Sequence, residues 1–149
     1  MTTLSKRKDW KVHCFDSHAQ RGEDLTKQWP NVTFHQVNVT DYQNLGTAFK
    51  NVFTSSGNRL DFVFANAGIL EKSNFYADTK SDGLDPPPPP DTICVDVNLK
   101  GVIYSSTLAV HYFRQSPHKG KGANLVVTAS CASLYAAEFV PVYTASKCK

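Results

Sequence analysis

The run LDFVFA at residues 60–65 constrains the fold more than any other stretch, because it is strand-forming and nearly continuously apolar. A strand without polar alternation suits a sheet covered on both faces, the usual condition of parallel sheets. ANLVVTAS at 123–130 reads the same way. Two shorter strands precede them: WKVHCF (10–15), ending at Asp16, and NVTFHQV (31–37), where Val32, Thr33 and Phe34 supply β-propensity. Helical patterns separate the strands. Residues 19–29 form one, weakened by Gly22. After Asp41, a suitable N-cap, Leu45, Phe49, Val52 and Phe53 recur at helical spacing until Gly57-Asn58 breaks the pattern. Residues 91–115 read as one long helix, apolar nearly all round and therefore buried. Strands alternating with helices predict an α/β fold with a parallel sheet.

Composition excludes several classes. The chain has 149 residues, enough for one domain with a core, and 19% are charged, as in soluble globular proteins. A net charge of +3 is too mild to argue for nucleic acid. The run Lys6-Arg7-Lys8 is read as a solvated helix end. No stretch is read as a membrane span and the N-terminus has no apolar signal core. Cys14, Cys94, Cys131 and Cys148 are scattered, which predicts reduced, buried thiols in a cytoplasmic protein. The five histidines show no metal-ligand spacing, so no metal is expected. Pro86 to Pro90 form a polyproline segment that SH3 or WW domains can bind. The simpler reading is a stiff loop delivering the chain to the helix near Asp91.

The candidate chemistry lies toward the C-terminus. In Y-T-A-S-K, Tyr143 and Lys147 stand four residues apart, on one face of a helix. An ammonium beside a phenol favours the phenolate, and a phenol so tuned can move a proton near neutral pH. The spacing alone is cheap, since Tyr76 and Lys80 repeat it. Register separates the two copies. Asn66-Ala67-Gly68 follows one apolar strand, Asn98 sits in N-L-K-G inside the long helix, Ser130 closes another strand, and Tyr143 follows Ser130 by thirteen residues. Thirteen residues before Tyr76 stands Val63. The pieces NAG, VNLKG, LVVTAS and YTASK, in that order, resemble the short-chain dehydrogenase/reductase family over nearly the whole chain. Within it the chain looks most like 15-hydroxyprostaglandin-dehydrogenase-like and fungal members.

The resemblance implies a Rossmann-like doubly wound sheet and NAD(P)-dependent hydride transfer between a secondary alcohol and a ketone. By it, Tyr143 is the acid/base, Lys147 assists it and holds the nicotinamide ribose, Ser130 orients the substrate oxygen, and Asn98 holds a water. Each has a structural alternative: Ser130 as a strand-end hydroxyl, Asn98 as a buried amide bonded to backbone. The cofactor set comprises Asp16, Asn38, Val39, Asn66, Tyr143 and Lys147. Asp16 ends the second strand of the family's order, where an acid accepts the ribose 2′-hydroxyl, so NAD is expected over NADP. Asn38 stands where most relatives have Asp beside the adenine, Val39 is expected near that ring, and Asn66 beside the adenine ribose.

One family element has no counterpart. None of the eight glycines forms the G-x-x-x-G-x-G phosphate loop, and counting back from Asp16 runs off the chain. The expectation is a single partial domain over residues 1–149, with the first strand, its loop and the C-terminal strands absent. In the order 3-2-1-4-5-6 the first strand is central, so two inner strand edges should lie open. Relatives are usually homo-oligomers, which is doubtful for such a chain. Two functions follow. One is the oxidoreductase, acting on a small-molecule alcohol or ketone without nucleic acid or membrane. The other is a truncated, non-catalytic chain that binds a partner through its open edges or its proline run.

Overall fold

A computed structural model of the chain describes residues 6–7, 9–77 and 85–148. Four strands are present: β1 (Val12–Asp16), β2 (Val32–Gln36), β3 (Phe62–Ala65) and β4 (Asn124–Val127). β1 pairs parallel with β2, and β3 parallel with β4. The parallel pairing expected from the apolar runs is therefore observed. Among the described residues no ladder joins β1 to β3, so the sheet consists of two halves with facing open edges. Trp10 and Phe62 bridge one end of the opening, ring centroids 6.3 Å apart.

The helices explain how the halves stay together. α1 (Ala19–Gln28) follows β1, and α2 (Tyr42–Ser55) follows β2. Asp41 caps α2 by accepting from Asn44 N at 3.0 Å, and Gly57, at φ +70°, ends it in the left-handed conformation that glycine adopts without strain. α3 spans Ile93–Gln115 and contains one π-turn, Asp96–Lys100. α2 and α3 build one core from Leu45, Ala48, Phe49, Leu108, Ala109 and Phe113, against which Phe15 of β1 and Val63 and Leu125 of β3 and β4 pack. Burying each such large side chain stabilises the fold by roughly 1.5–3 kcal/mol. A shared helical layer thus joins two sheet halves that make no strand ladder with each other.

Coverage differs between the halves. Period-two alternation sends Phe15 and His35 toward α2 and Cys14 and Phe34 toward α1. The Phe34 ring lies where a Cβ on Gly22 would stand, so the glycine that weakens α1 is also the gap that lets it close on the sheet. On β3 and β4, Phe64 is 54% exposed and Val126 43%, paired side by side. The expectation that these strands are covered on both faces is corrected: only the α3 face is covered among the described residues.

Three further expectations change. α3 buries Cys94, Asn98, Val102, Leu108 and Phe113 but exposes Ile103 and Val110, so it is one-sided rather than buried all round. Its 23 residues are long and apolar enough to cross a membrane by length and composition, contrary to the reading of no such stretch; here they carry the core. Cys14 is half-buried and Cys94 buried, and burial is the leading cause raising both thiols' pKa, but Cys131 and Cys148 are exposed. In the described part of Lys6-Arg7-Lys8 both side chains are exposed and Arg7 pairs with Asp9, while the helix expected to end here falls on residues outside the described ones. Pro86 to Pro90 are exposed and lead to the helix start, where Asp91 accepts from Ile93 N at 2.9 Å. Lys80, Lys8 and residues 81–84 of the proline approach lie outside the described residues.

Candidate functional site

The carboxyl ends of the parallel strands gather the predicted residues. Asp16 ends β1, Asn38 and Val39 follow β2, Asn66 follows β3, and Ser130 comes after β4 in extended backbone. This is the edge where open α/β sheets bind ligands. Asp16 Oδ1 accepts from His18 N at 2.8 Å, turning the chain into α1. Asn38 Oδ1 accepts from Thr40 N at 3.0 Å and Thr40 Oγ1 at 2.9 Å. Val39 packs against α3: a Cβ on Gly101 would stand 2.8 Å from its Cγ2. Asn66 Oδ1 accepts from Thr128 Oγ1 at 2.7 Å, tying the end of β3 to the end of β4.

The π-turn of α3 presents Asn98, which is fully buried. π-turns inside α-helices are frequent at functional sites. Asn98 Oδ1 accepts from Ile69 N at 2.8 Å, and Nδ2 donates to Ile69 O and to Ser146 Oγ, both at 2.9 Å. Both amide protons are therefore used within the protein, and only a second lone pair on Oδ1 is left in the side chain for a water. The backbone-bonded alternative for Asn98 is thus directly visible.

α4 (Pro141–Lys147) carries Tyr143 and Lys147 on one face, as the spacing predicts. Lys147 is 4% exposed. Its Nζ lies 5.8 Å from the Tyr143 ring centroid and makes a long 3.5 Å contact to Thr128 O. A cleft of about 210 Å³ opens here, lined by Asn66, Gly68, Ile69, Thr128, Tyr143 and Lys147. A Cβ on Gly68 would stand 3.1 Å from both Lys147 Nζ and Asn98 Oδ1, so glycine keeps this space clear. Ser130 is not among the lining residues; its Oγ accepts from Ala132 N at 3.2 Å and opens the 3-10 turn Cys131–Ser133.

The structure therefore brings Asn66, Asn98, Tyr143 and Lys147 together and leaves Asp16, Asn38 and Val39 on the other sheet half. Three participants escaped the sequence reading. Ser146 relays Asn98 to Tyr143 O at 2.7 Å. Thr128 faces Lys147 and Asn66. Glu71 Oε2 accepts from Tyr143 N at 2.6 Å. Their partners lie up to 72 residues away, and no local spacing signals such contacts. Among the described residues no group of three or more metal-ligating side chains comes together.

Comparison with known proteins identifies the family and the fold. The family described as short chain dehydrogenase matches residues 2–148. The short-chain dehydrogenase/reductase prx7 of Penicillium rubens is 46% identical over 147 residues, covering 97% of this chain and 52% of that protein. Its prx6 counterpart is 37% identical over 144 residues, covering 94% and 47%. The chain thus spans about half the length of the curated relatives it matches. Among solved structures, ElxO with NADP bound superposes with a TM-score of 0.77 at 19% identity, covering 98% of this chain and 55% of that one. A short chain dehydrogenase from Mycobacterium smegmatis gives 0.75 at 22%, covering 93% and 55%. These two share the fold.

Proposed function

Because the chain belongs to the short chain dehydrogenase family, we propose that it serves an NAD(P)-dependent oxidoreductase interconverting a secondary alcohol and a ketone. The observation that carries this is that one cleft is lined both by Tyr143 and Lys147 from one helix face and by the ends of β3 and β4.

The residues present fit a nicotinamide cofactor. Lys147 is buried with only a long contact to Thr128 O, and the volume beside it is kept open at Gly68. A bound nicotinamide supplies or accepts the hydride. In the proposed scheme Lys147 holds the ribose hydroxyls and Asn66 lies beside the adenine ribose. Tyr143 moves the proton between its phenol oxygen and the substrate oxygen, a role worth about 10²–10⁴ in rate. Ser130 orients that oxygen. Asp16 is the proposed selector of NAD, since a carboxylate at the strand end accepts a 2′-hydroxyl and repels a 2′-phosphate. That ElxO was solved with NADP is a property of ElxO, and here it motivates testing both cofactors.

Calorimetric titration of NADH and NADPH into the 149-residue chain tests the proposal. Saturable binding, tighter for NADH and weakened by Asp16→Ala, is expected. A folded, soluble chain that binds neither would sink it.

The open inner edges of β1 and β3 favour a second reading, in which the chain is non-catalytic and acts by edge association. Sedimentation showing a monodisperse monomer at all concentrations would remove that reading.

A further inference from the structure

We propose that Glu71 is a positioning residue, whose carboxylate anchors α4 and so fixes where Tyr143 and Lys147 stand. Its functional consequence rests on the oxidoreductase reading; its geometry does not.

α4 cannot cap itself. Its N-cap is Val140, whose side chain makes no hydrogen bond, and Pro141 brings no N–H. Thr144 N reaches Val140 O at 2.9 Å, which leaves the N–H groups of Val142 and Tyr143 as the free donors of the first turn. Glu71 supplies the missing acceptor from 72 residues away, through a 2.6 Å bond to Tyr143 N. A carboxylate at a helix N-terminus also meets the positive end of the helix dipole.

The bond closes a ring around one peptide. Tyr143 N donates to Glu71, and Tyr143 O accepts from Ser146 Oγ. Ser146 Oγ in turn accepts from Asn98, which grips Ile69, two residues before Glu71. Tyr143 is thus held on both sides of its own backbone by groups rooted in the loop after β3. Burial first, then the charges of Glu71 and Asp91, push the thiol pKa of the wholly buried Cys94 of α3 up.

The other carboxylate oxygen sharpens the inference. Among the described residues, Glu71 Oε1 is buried without a hydrogen-bond partner. A neutral side chain there would avoid that cost. A role for Glu71 at α4 accounts for a carboxylate kept in so poor a position.

The test compares the 149-residue chain with Glu71→Ala and Glu71→Gln, the latter keeping an acceptor of the same shape. Amide hydrogen exchange is read across the whole chain, and NADH affinity by calorimetry. In Glu71→Ala, protection at residues 143–147 should fall roughly tenfold, the order expected for one charge-assisted bond, with β1, β2 and α2 unchanged. NADH affinity should fall with it, and Glu71→Gln, which keeps the acceptor without the charge, should restore both only in part. Protection lost evenly across the chain would make Glu71 a general structural residue and overturn the proposal. So would an α4 that exchanges as before. If the parent chain binds no NADH, the functional reading fails, and the exchange data still decide whether Glu71 anchors α4.

Discussion

Two loops at the same edge of the sheet are held in opposite ways. The loop after β2 is tied locally: Asn38 binds Thr40, and Asn44 Oδ1 accepts from Asn38 N at 3.1 Å, all within six residues. The loop after β3 is tied at a distance. Asn66 is bound by Thr128, Ile69 by Asn98, and Glu71 by Tyr143, across 62, 29 and 72 residues. Local bonds form as soon as the turn forms. Distant ones exist only once α3, β4 and α4 have docked, so the candidate site is a product of tertiary assembly.

Mutations can break this contrast. The largest effect is expected for Asn98→Ala, which strands both polar groups of the partly buried Ile69 backbone and leaves a hole at the fully buried Asn98 position. Two orphaned groups should cost about 3 kcal/mol, read as a lower urea midpoint. Gly101→Ala comes next. It drives a methyl into Val39, a side chain of the β2 loop that packs on α3, and overpacking of this kind costs about 1–3 kcal/mol. Asn44→Ala removes only an exposed, local acceptor that water replaces, and should cost about 0.5 kcal/mol. If Asn98→Ala proved no worse than Asn44→Ala in the same denaturation series, the contrast between the loops would collapse.

The smallest effect is a pH dependence confined to the β1–β2 half. His13 Nδ1 and His35 Nε2 stand 3.0 Å apart, and His13 Nε2 is 3.4 Å from Ser56 Oγ. Burial, and for His13 also His35 and Lys11, lowers both imidazole pKa values below the usual 6.5. Neutral forms are favoured in the folded state, so the unfolded chain binds more protons as pH falls. Stability contributed by the pair is therefore present above about pH 6.5 and declines as pH drops below it. Exchange protection of β1 and β2 should weaken between pH 7 and 5.5 in the parent chain and much less in His35→Phe, with α4 unaffected. An equal loss in α4 would show that the two halves open as one unit.

Much of the fold was legible because it is local. The strand runs, the Asp41 cap and the Gly57 stop each follow from neighbours within a few residues, and all are observed within three positions. Coverage was not legible. Phe64 and Val126 read as buried because their neighbours are apolar, yet which face is covered depends on elements far along the chain. The exposure of Ile103 and Val110 has the same origin. At the site, the Tyr143 and Lys147 spacing shows in the sequence because one helix sets it, whereas Ser146, Thr128 and Glu71 have no signature.

The sequence by itself determined the alternation of strands and helices, the parallel class of the sheet and the order of the candidate residues, because each rests on periodicity or spacing along one chain. Only the tertiary structure decided that α2 and α3 carry both sheet halves on one core. It alone decided that Asn98 grips the loop after β3 and that the helix bearing Tyr143 takes its cap from Glu71. Those are contacts between residues far apart in sequence, and packing free energy rather than local preference brings them together.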